Sequence, residues 1–414
     1  MGDVTSSSRR TTGARGLPGT VWLLGFVSLL MDSSSELVHA LLPVYLVAVL
    51  GAGTVALGFV EGLGEATAAL LKIISGALSD RMGRRKPLVL LGYGLAALSK
   101  PLFPLADTVT TVIVARVVDR VGKGLRGAPR DALIADVTPP PLRGRAYGLR
   151  QALDTVGAIL GPLAAMLLMF ALTGRLRLVL WFAVVPAAAC VALLALGVRE
   201  PRSATTARAG SRPRLVDWRR LPPGFWRVMA IAIPGMLARF GEGFLTLRLF
   251  ELGLPPAAAP LALLVMNLVY ALCAYPAGVL ADRVARGRLL AAAFALLVAG
   301  DLLLVAARGP GLALAGIALW GLHMAASQGL LQAAVADAAP AHLRGTAFGI
   351  FHLASGVMLL AASLIAGSLW QHGSAALAFG FSLLCAVLAG VLAASLLPQP
   401  ASAAVPVTGP DRRS

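Results

Sequence analysis

Two groups of charged residues lie inside long apolar stretches of this 414-residue sequence, where a membrane would make charges costly. In the first stretch, Asp32 and Glu36 are four residues apart, so a helix places both carboxyl groups on one face. In the fourth stretch, a row of residues at spacings of three and four shares one face: Arg116, Asp119, Arg120, Lys123, Arg126 and Arg130. Carboxyl groups exchange protons and bases bind anions, so these two helices are the first candidates for a functional site.

Asp32 and Glu36 are interpreted as acids that load and release a proton. The small polar run 33–35 separates them, and we expect their own helix to offer no base nearby. The bases Lys123, Arg126 and Arg130 would then bind an anionic group or compete with it for the acid.

The other acids of the fourth stretch favour a different interpretation, in which acids and bases neutralise each other permanently. Asp119 has Arg116 and Arg120 beside it, and Asp131 follows Arg130 directly. We expect structural pairs there, while Asp119 and Asp131 remain candidates for proton coupling.

Two later stretches add further candidates. Arg239 and Glu242 lie in the seventh stretch, and Trp320 and His323 lie in the tenth. For His323 a packed, hydrogen-bonded role is favoured over a proton relay, and for Trp320 packing is favoured over a cavity wall. The candidate ligand-binding residues are therefore Arg116, Lys123, Arg126, Arg130, Arg239, Glu242, Trp320 and His323.

The composition indicates that membrane helices position these residues. The sequence is 58% hydrophobic and 13% charged, with a mean hydropathy of +0.81, whereas soluble domains carry about 25% charged residues. Apolar windows long enough to cross a membrane predict twelve helices, an all-α membrane protein. The predicted helices begin near Val21, Thr54, Pro87, Thr108, Ala146, Arg177, Phe225, Ala258, Leu289, Gly311, Thr346 and Ala375.

Basic residues crowd the loops on one side of the predicted membrane, although the net charge of +17 alone could suggest nucleic-acid binding. This asymmetry places both termini in the cytoplasm, and the loops lack the stacking aromatics that nucleic-acid binding requires. No A-x-A cleavage site follows the first apolar run, so we expect it to remain as an uncleaved helix.

The sequence shows no sign of a cofactor or metal. Cys190, Cys273 and Cys385 are isolated within apolar runs, and no C-x-x-C or Cys/His ligand spacing occurs. Neither a nucleophile elbow nor a phosphate-binding loop is present, so we expect no enzyme activity.

The two halves of the chain repeat each other. Residues 76–81 (Gly-Ala-Leu-Ser-Asp-Arg) recur as 278–283 (Gly-Val-Leu-Ala-Asp-Arg), and residues 142–148 recur as 343–349. Two motifs at nearly one offset predict two pseudo-symmetric six-helix bundles. We expect a disordered cytoplasmic tail at 1–18, bundles at 19–198 and 225–397, a basic cytoplasmic linker at 199–224 and a cytoplasmic tail at 398–414.

The stretch 76–86, Gly-Ala-Leu-Ser-Asp-Arg-Met-Gly-Arg-Arg-Lys, resembles the signature between helices two and three of the major facilitator superfamily. A weaker copy follows the predicted helix eight. Gly148, Gly157, Gly161 and Pro162 are similar to the helix-five motif of the antiporters of that family, G-x8-G-x3-G-P-x2-G-G. The closing Gly-Gly of that motif is Ala165-Met166 in this chain.

The resemblance implies a monomeric secondary transporter of a small solute that works by alternating access, with helices one, four, seven and ten lining the cavity. We expect proton-coupled efflux from a bacterial inner membrane. A proton-coupled importer of an anionic or zwitterionic solute and a non-transporting receptor of the same fold remain alternatives. Cytoplasmic charge clusters and close-packing glycines would control the conformational change: Gly76, Asp80, Arg81, Gly83, Arg84, Arg85, Asp136, Arg143, Gly157, Gly161, Pro162, Asp282, Arg283 and Arg344.

Overall fold

A computed structural model of the chain describes residues 16–82, 84–198, 218–281, 284–340 and 343–397, and these are helical almost throughout. The two predicted tails beyond these limits and residues 199–217 of the predicted linker lie outside the described residues.

The helices of the first half follow the order that the apolar windows predict. They are α1 (Gly19–Val44), α2 (Thr54–Met82), α3 (Lys86–Ser99), α4 (Val109–Val137), α5 (Arg143–Ala171), α6 (Leu176–Trp181) and α7 (Val184–Gly197). A π-helical turn, Tyr45–Val49, extends α1 beyond Pro43, and a 3₁₀ turn, Lys100–Leu102, extends α3. The helices α6 and α7 form one crossing with an interruption at Phe182 and Ala183.

The second half repeats this arrangement. Its helices are α8 (Pro223–Leu237), α9 (Gly243–Glu251), α10 (Leu261–Ala281), α11 (Arg286–Ala306), α12 (Pro310–Ala338), α13 (Arg344–His372) and α14 (Ala375–Leu396). The helices α8 and α9 form the seventh crossing, which is unwound between them. A 3₁₀ turn, Trp218–Arg220, precedes α8 within the predicted linker.

The prediction of twelve membrane crossings is confirmed, and every predicted start lies within three residues of the observed one. Among the described residues, nine helical stretches are long and apolar enough to cross a membrane by themselves. The remaining crossings are short (α3), rich in charge (α4) or broken (α8 with α9). Side chains such as Leu196, Leu272 and Tyr275 are 85%, 67% and 81% exposed, as expected for an outer surface in contact with lipid.

The helices form two bundles that meet mainly along three pairs of helices. Within the first bundle α1 packs on α5 and α7, and α4 packs on α2 and α3. Within the second, α11 packs on α12 and α14, and α10 packs on α12. Contacts of α2 with α13, α5 with α10 and α1 with α9 join the bundles.

The bundles are pressed together at one end of the molecule. We name it the turn end because it carries the tight turn Gly51–Gly53, where Gly51 has a φ of +63°. There the Thr54 hydroxyl donates to the Gly367 carbonyl (2.7 Å), and the Val55 amide donates to the Gln371 side chain (3.1 Å). These contacts of α2 with α13 hold the two bundles together at the turn end.

The opposite end, the terminus end, carries the start of α1 and the end of α14. Along α13, Gly367 and Gly356 press against α2, but a Cβ on Gly349 or Gly345 would meet no atom within 4 Å. Two ion pairs of this end, Arg85–Asp136 and Arg286–Asp337, each join helices of the same bundle. At Gly345 and Gly349, α13 therefore has no close neighbour among the described residues.

Candidate functional site

Two adjoining cavities occupy the space between the bundles. The central cavity, about 400 Å³, lies halfway along the helices, and the vestibule, about 380 Å³, lies nearer the terminus end. Glu65, Lys123, His352, Ser355 and Leu359 line both cavities, so the two spaces form one passage.

The helices α1, α4, α8–α9 and α12 all contribute to the wall of the central cavity, as the family resemblance implies. Its charged and polar lining includes Glu36, His39, Glu61, Glu65, Arg120, Lys123, Arg239, Glu242, His323, Ser327, Gln328, Gln332 and His352. Aromatic side chains from the second bundle, Phe240, Phe294, Trp320 and Phe351, complete it. The charged groups come mainly from the first bundle and the aromatic groups from the second.

Glu36 belongs to a buried network on the first bundle. His39 Nδ1 lies 3.3 Å from a carboxylate oxygen of Glu36, and His39 Nε2 lies 2.9 Å from Glu61. Arg116 lies 3.4 Å from the same Glu61 carboxylate. The expectation that α1 offers Glu36 no neighbouring base is therefore wrong, because His39, one helical turn later, contacts it.

Asp32, one turn before Glu36, lines the vestibule. Its carboxylate is 3.6 Å from the Arg126 guanidinium, which stacks over the Tyr93 ring at 4.6 Å. The Asp32 side chain keeps 26% of its surface exposed, so water in the vestibule reaches it. The two acids of α1 thus face the two cavities separately.

The charged row of α4 faces the interior and not the lipid. Arg120 pairs with Glu65 (2.9 Å), while Arg130 contacts both Asp131 (3.2 Å) and Asp154 (3.8 Å). The structural pair expected for Asp131 and Arg130 is present, although Asp131 also lines the vestibule. Arg116, in contrast, lines neither space; it is buried and contacts Glu61, which does line the central cavity.

Asp119 has a different partner from the one expected. Its carboxylate is 2.7 Å from the Lys100 ammonium, which also donates to the Ser35 hydroxyl (2.9 Å), whereas Arg120 is 3.7 Å away. Both members of the pair are almost fully buried, and Asp119 lines neither cavity. Asp119 therefore has no contact with the passage in this structure, and its role in proton coupling stays a prediction.

Arg239 and Glu242 lie in the unwound segment between α8 and α9, which sequence analysis treated as continuous helix. Irregular backbone at membrane depth requires other partners. Ser382 donates to the Ala238 carbonyl (2.6 Å), and the Gly241 amide donates to Ser363 (3.0 Å). The break therefore directs both charged side chains into the central cavity. Its local signals in the sequence are Pro234 and the nearby glycines Gly235, Gly241 and Gly243.

Trp320 and His323 both line the central cavity and both have fixed hydrogen bonds. The Trp320 indole donates to buried Asp301 (2.8 Å). His323 Nδ1 lies 2.7 Å from the Ala293 carbonyl, and its Nε2 lies 3.4 Å from the Ser327 hydroxyl. The hydrogen-bonded role expected for His323 agrees with this geometry, while Trp320 combines packing with a cavity wall.

The glycines of α5 set the position of the α1 acids. A Cβ on Gly157 would lie 3.1 Å from the Asp32 Cβ, and one on Gly161 would lie 2.7 Å from the Glu36 Cβ. Pro162 is buried beside them. Only residues without a side chain allow α5 to approach α1 this closely.

The proposed switch residues are partly described. Arg85 pairs with Asp136 (2.7 Å), Arg344 donates to the Ala336 carbonyl (3.2 Å), and Gly76 faces Ala128. Arg84 and Arg143 are exposed. The side chains of Asp80 and Arg81, and the whole of Gly83, Asp282 and Arg283, lie outside the described residues.

The chain has extensive similarity to known proteins. A sequence profile described as Major Facilitator Superfamily matches residues 21–250 and 225–412. An uncharacterized MFS-type transporter of Methanocaldococcus jannaschii is 31% identical over 91% of this chain and 95% of its own length. Multidrug resistance protein MdtH of Proteus mirabilis is 36% identical, over only 30% of this chain and 31% of its own length.

The fold is similar to that of solved transporters. The crystal structure of a D-xylose–proton symporter matches with a TM-score of 0.73 and 18% identity over 93% of this chain and 99% of that one. This likeness concerns the fold alone. Because the profile and the archaeal relative both extend over nearly the whole chain, the protein belongs to the Major Facilitator Superfamily of membrane transporters.

Proposed function

We propose that this transporter exports a small organic solute in exchange for protons, by alternating access, and acts as a monomer in a bacterial inner membrane. The terminus end then faces the cytoplasm, with both termini, and the structure corresponds to the inward-open state. Solute would enter through the vestibule and bind in the central cavity.

The observation that carries this proposal is the environment of Glu36. Among the described acids of the first bundle that line the passage, Glu61, Glu65, Asp32, Asp131 and Asp154 each have an arginine within 4 Å. Glu36 has His39 instead, whose imidazole can itself bind or release a proton. The pair can therefore gain or lose a proton in the cavity without leaving an arginine unpaired.

Asp32 is the second proposed proton site. Its distance of 3.6 Å from Arg126 is longer than a direct hydrogen bond, and it faces the water-accessible vestibule. In an exchanger, proton uptake by this carboxylate and solute binding in the vestibule would exclude each other, so that proton uptake favours solute release.

Conformational change would use the seams between helices. The glycines of α5 allow α1 to slide with its acids, and the Arg85–Asp136 pair stabilises the terminus end of one bundle. When the terminus end closes, the contacts of α2 with α13 at the turn end must separate. Protonation and solute binding in the cavities between these ends would bias that equilibrium.

Efflux is favoured over import by two observations. The α5 motif follows the antiporter pattern through Pro162, and a fragment of the chain is similar to MdtH, whose name states multidrug resistance. A symporter that imports an anionic or zwitterionic solute would use the same residues and is the second candidate. A receptor without transport would not need an ionic passage through the membrane.

Proteoliposomes test this function. A thermal-shift screen of solutes on the purified protein supplies a ligand, and a pH-sensitive dye inside the vesicles then reports proton movement when that ligand is added. We expect protons and solute to move in opposite directions. Movement in the same direction would establish the importer, and binding without flux would establish the receptor.

The acids are tested in the same assay. Glu36→Gln and Asp32→Asn should abolish proton movement, whereas Asp107→Asn is the matched control because Asp107 pairs with Arg177 at the turn end, outside both cavities. If both acid variants move protons normally, coupling lies elsewhere in the chain.

A further inference from the structure

The vestibule holds more positive than negative charge. Its lining includes four acids, Asp32, Glu65, Asp131 and Asp154. Each acid lies within 4 Å of an arginine. The pairs are Asp32–Arg126 (3.6 Å), Glu65–Arg120 (2.9 Å), Asp131–Arg130 (3.2 Å) and Asp154–Arg150 (2.8 Å). Two further bases of the lining, Lys72 and Lys123, form no ion pair with any described residue. Because Arg120 lines the central cavity and not the vestibule, the vestibule lining itself holds five bases and four acids, an excess of one positive charge.

The two lysines are held side by side by the packing of α2 on α4. A Cβ on Gly124 would lie 2.6 Å from the Leu71 Cβ and 3.3 Å from the Lys72 amide nitrogen. The Ser75 hydroxyl donates to the Gly124 carbonyl (2.9 Å) across the same contact. Lys123 precedes Gly124 directly, so both lysines leave the wall at neighbouring points, and both side chains are exposed.

The acids around this pair of ammonium groups are shared with other bases. Asp32 and Glu65, which act on Lys123, each have an arginine within 4 Å, and Glu36, which also acts on Lys123, contacts His39. Asp131 is the acid that acts most strongly on Lys72, but Asp131 is already shared between Arg130 (3.2 Å) and Arg150 (3.7 Å). On the opposite wall, α13 offers the uncharged side chains of Ser355 and Leu359 together with His352. Two like charges at membrane depth without a counterion of their own are costly, and a bound anion would reduce that cost.

We propose that Lys72 and Lys123 bind the acidic group of the transported solute, a carboxylate, sulfonate or phosphate ester, in the vestibule. Lys123 also lines the central cavity, whose far wall carries Phe294 and Phe351. The solute is then an amphipathic organic anion that places its acid on the lysines and its apolar body against these rings. This inference rests on the proposed transport function and assigns its substrate class.

Binding to the full-length protein in nanodiscs tests this assignment without any proton gradient. The probes are naphthalene-1-sulfonate and 1-naphthylmethylammonium, which share a ring system and differ in the sign of the charge. Calorimetry should show binding of the sulfonate in preference to the ammonium compound. Lys72→Gln and Lys123→Gln should each weaken sulfonate binding about tenfold, because each removes a charge-assisted hydrogen bond.

Matched variants separate charge from structural damage. Lys72→Arg and Lys123→Arg should retain binding, and Arg145→Gln, at an exposed position of the terminus end, should leave it unchanged. Equal affinity of the Gln variants and the wild type would overturn the assignment, as would preference for the ammonium probe or no binding of the sulfonate.

A lipid headgroup has the same acidic chemistry, so a second arm compares nanodiscs of phosphatidylcholine with nanodiscs that also contain phosphatidylglycerol. We expect the same sulfonate affinity in both. If phosphatidylglycerol weakens sulfonate binding to the wild type but not to the Lys123→Gln variant, the lysines bind a lipid headgroup. That result would overturn the solute assignment. Proton exchange in proteoliposomes with a cationic ligand would likewise reject this substrate class while leaving the transport function intact.

Discussion

Gly241, in the unwound segment of the second bundle, lies directly against Glu61 of the first: a Cβ on Gly241 would be 2.7 Å from the Glu61 Cβ. Glu61 is held by His39 at 2.9 Å and by Arg116 at 3.4 Å. The buried acid–base network of one bundle and the helix break of the other are therefore in van der Waals contact. A change in protonation or position on either side must be accommodated by the other.

Gly241→Val should disrupt this contact. The added side chain would collide with Glu61 and push α8–α9 away from α2, because the backbone there has little freedom to retreat. We expect solute exchange in proteoliposomes to fall at least about tenfold and stability to fall by about 1–3 kcal/mol. Gly224→Val is the control, since a Cβ there meets no atom within 4 Å, and equal effects of both substitutions would refute the idea.

His39→Asn should change the pH dependence of transport, and it should change the stability of the protein less. Without the imidazole, Glu36 loses the partner at 3.3 Å and Glu61 retains Arg116. The rate of exchange is measured between about pH 5 and 9. In the variant it should no longer show the pH dependence that a histidine–carboxylate pair produces. His372→Asn, at an exposed position of the turn end, should keep the wild-type profile, and an unchanged profile for His39→Asn would exclude His39 from coupling.

Lys100→Met should destabilise the fold, because it leaves the buried Asp119 carboxylate without its 2.7 Å partner. Loss of one member of a buried ion pair costs about 3–5 kcal/mol. Thermal unfolding in detergent should show a lower midpoint, and Lys100→Met combined with Asp119→Leu should recover part of it. An Asp119→Asn variant that lost only proton coupling and kept full stability would contradict a structural role for this ion pair.

Cross-linking at the turn end should stop transport. On a background without Cys190, Cys273 and Cys385, a short dithiol reagent should join Val55→Cys to Gln371→Cys, since the Val55 amide already contacts the Gln371 side chain at 3.1 Å. Transport should cease and return after reduction, because alternating access requires this end to open. Full activity of the cross-linked protein would exclude that motion, and the pair Arg145→Cys with Arg308→Cys, at exposed positions of opposite ends of the molecule, serves as control.

Hydropathy along the chain was enough to predict the twelve crossings and their starts. For α2 and α14 the predicted first residues, Thr54 and Ala375, are those observed. Spacing alone also placed the α4 bases on one interior face, because helical periodicity is a local property and a lipid-facing charge is costly. The internal repeat predicted the two bundles, because each half must bury its own polar face away from lipid.

The partners of the charges depended on the tertiary structure. Asp119 has two arginines nearby in sequence and yet pairs with Lys100 of the neighbouring helix. Which side chains meet is decided by the rotation and separation of the helices, and these are fixed by glycine contacts such as Gly124 against Leu71. Sequence periodicity gives a face to each charged residue, but only the packing of helices against one another determines which acid is neutralised and which base remains available to a solute.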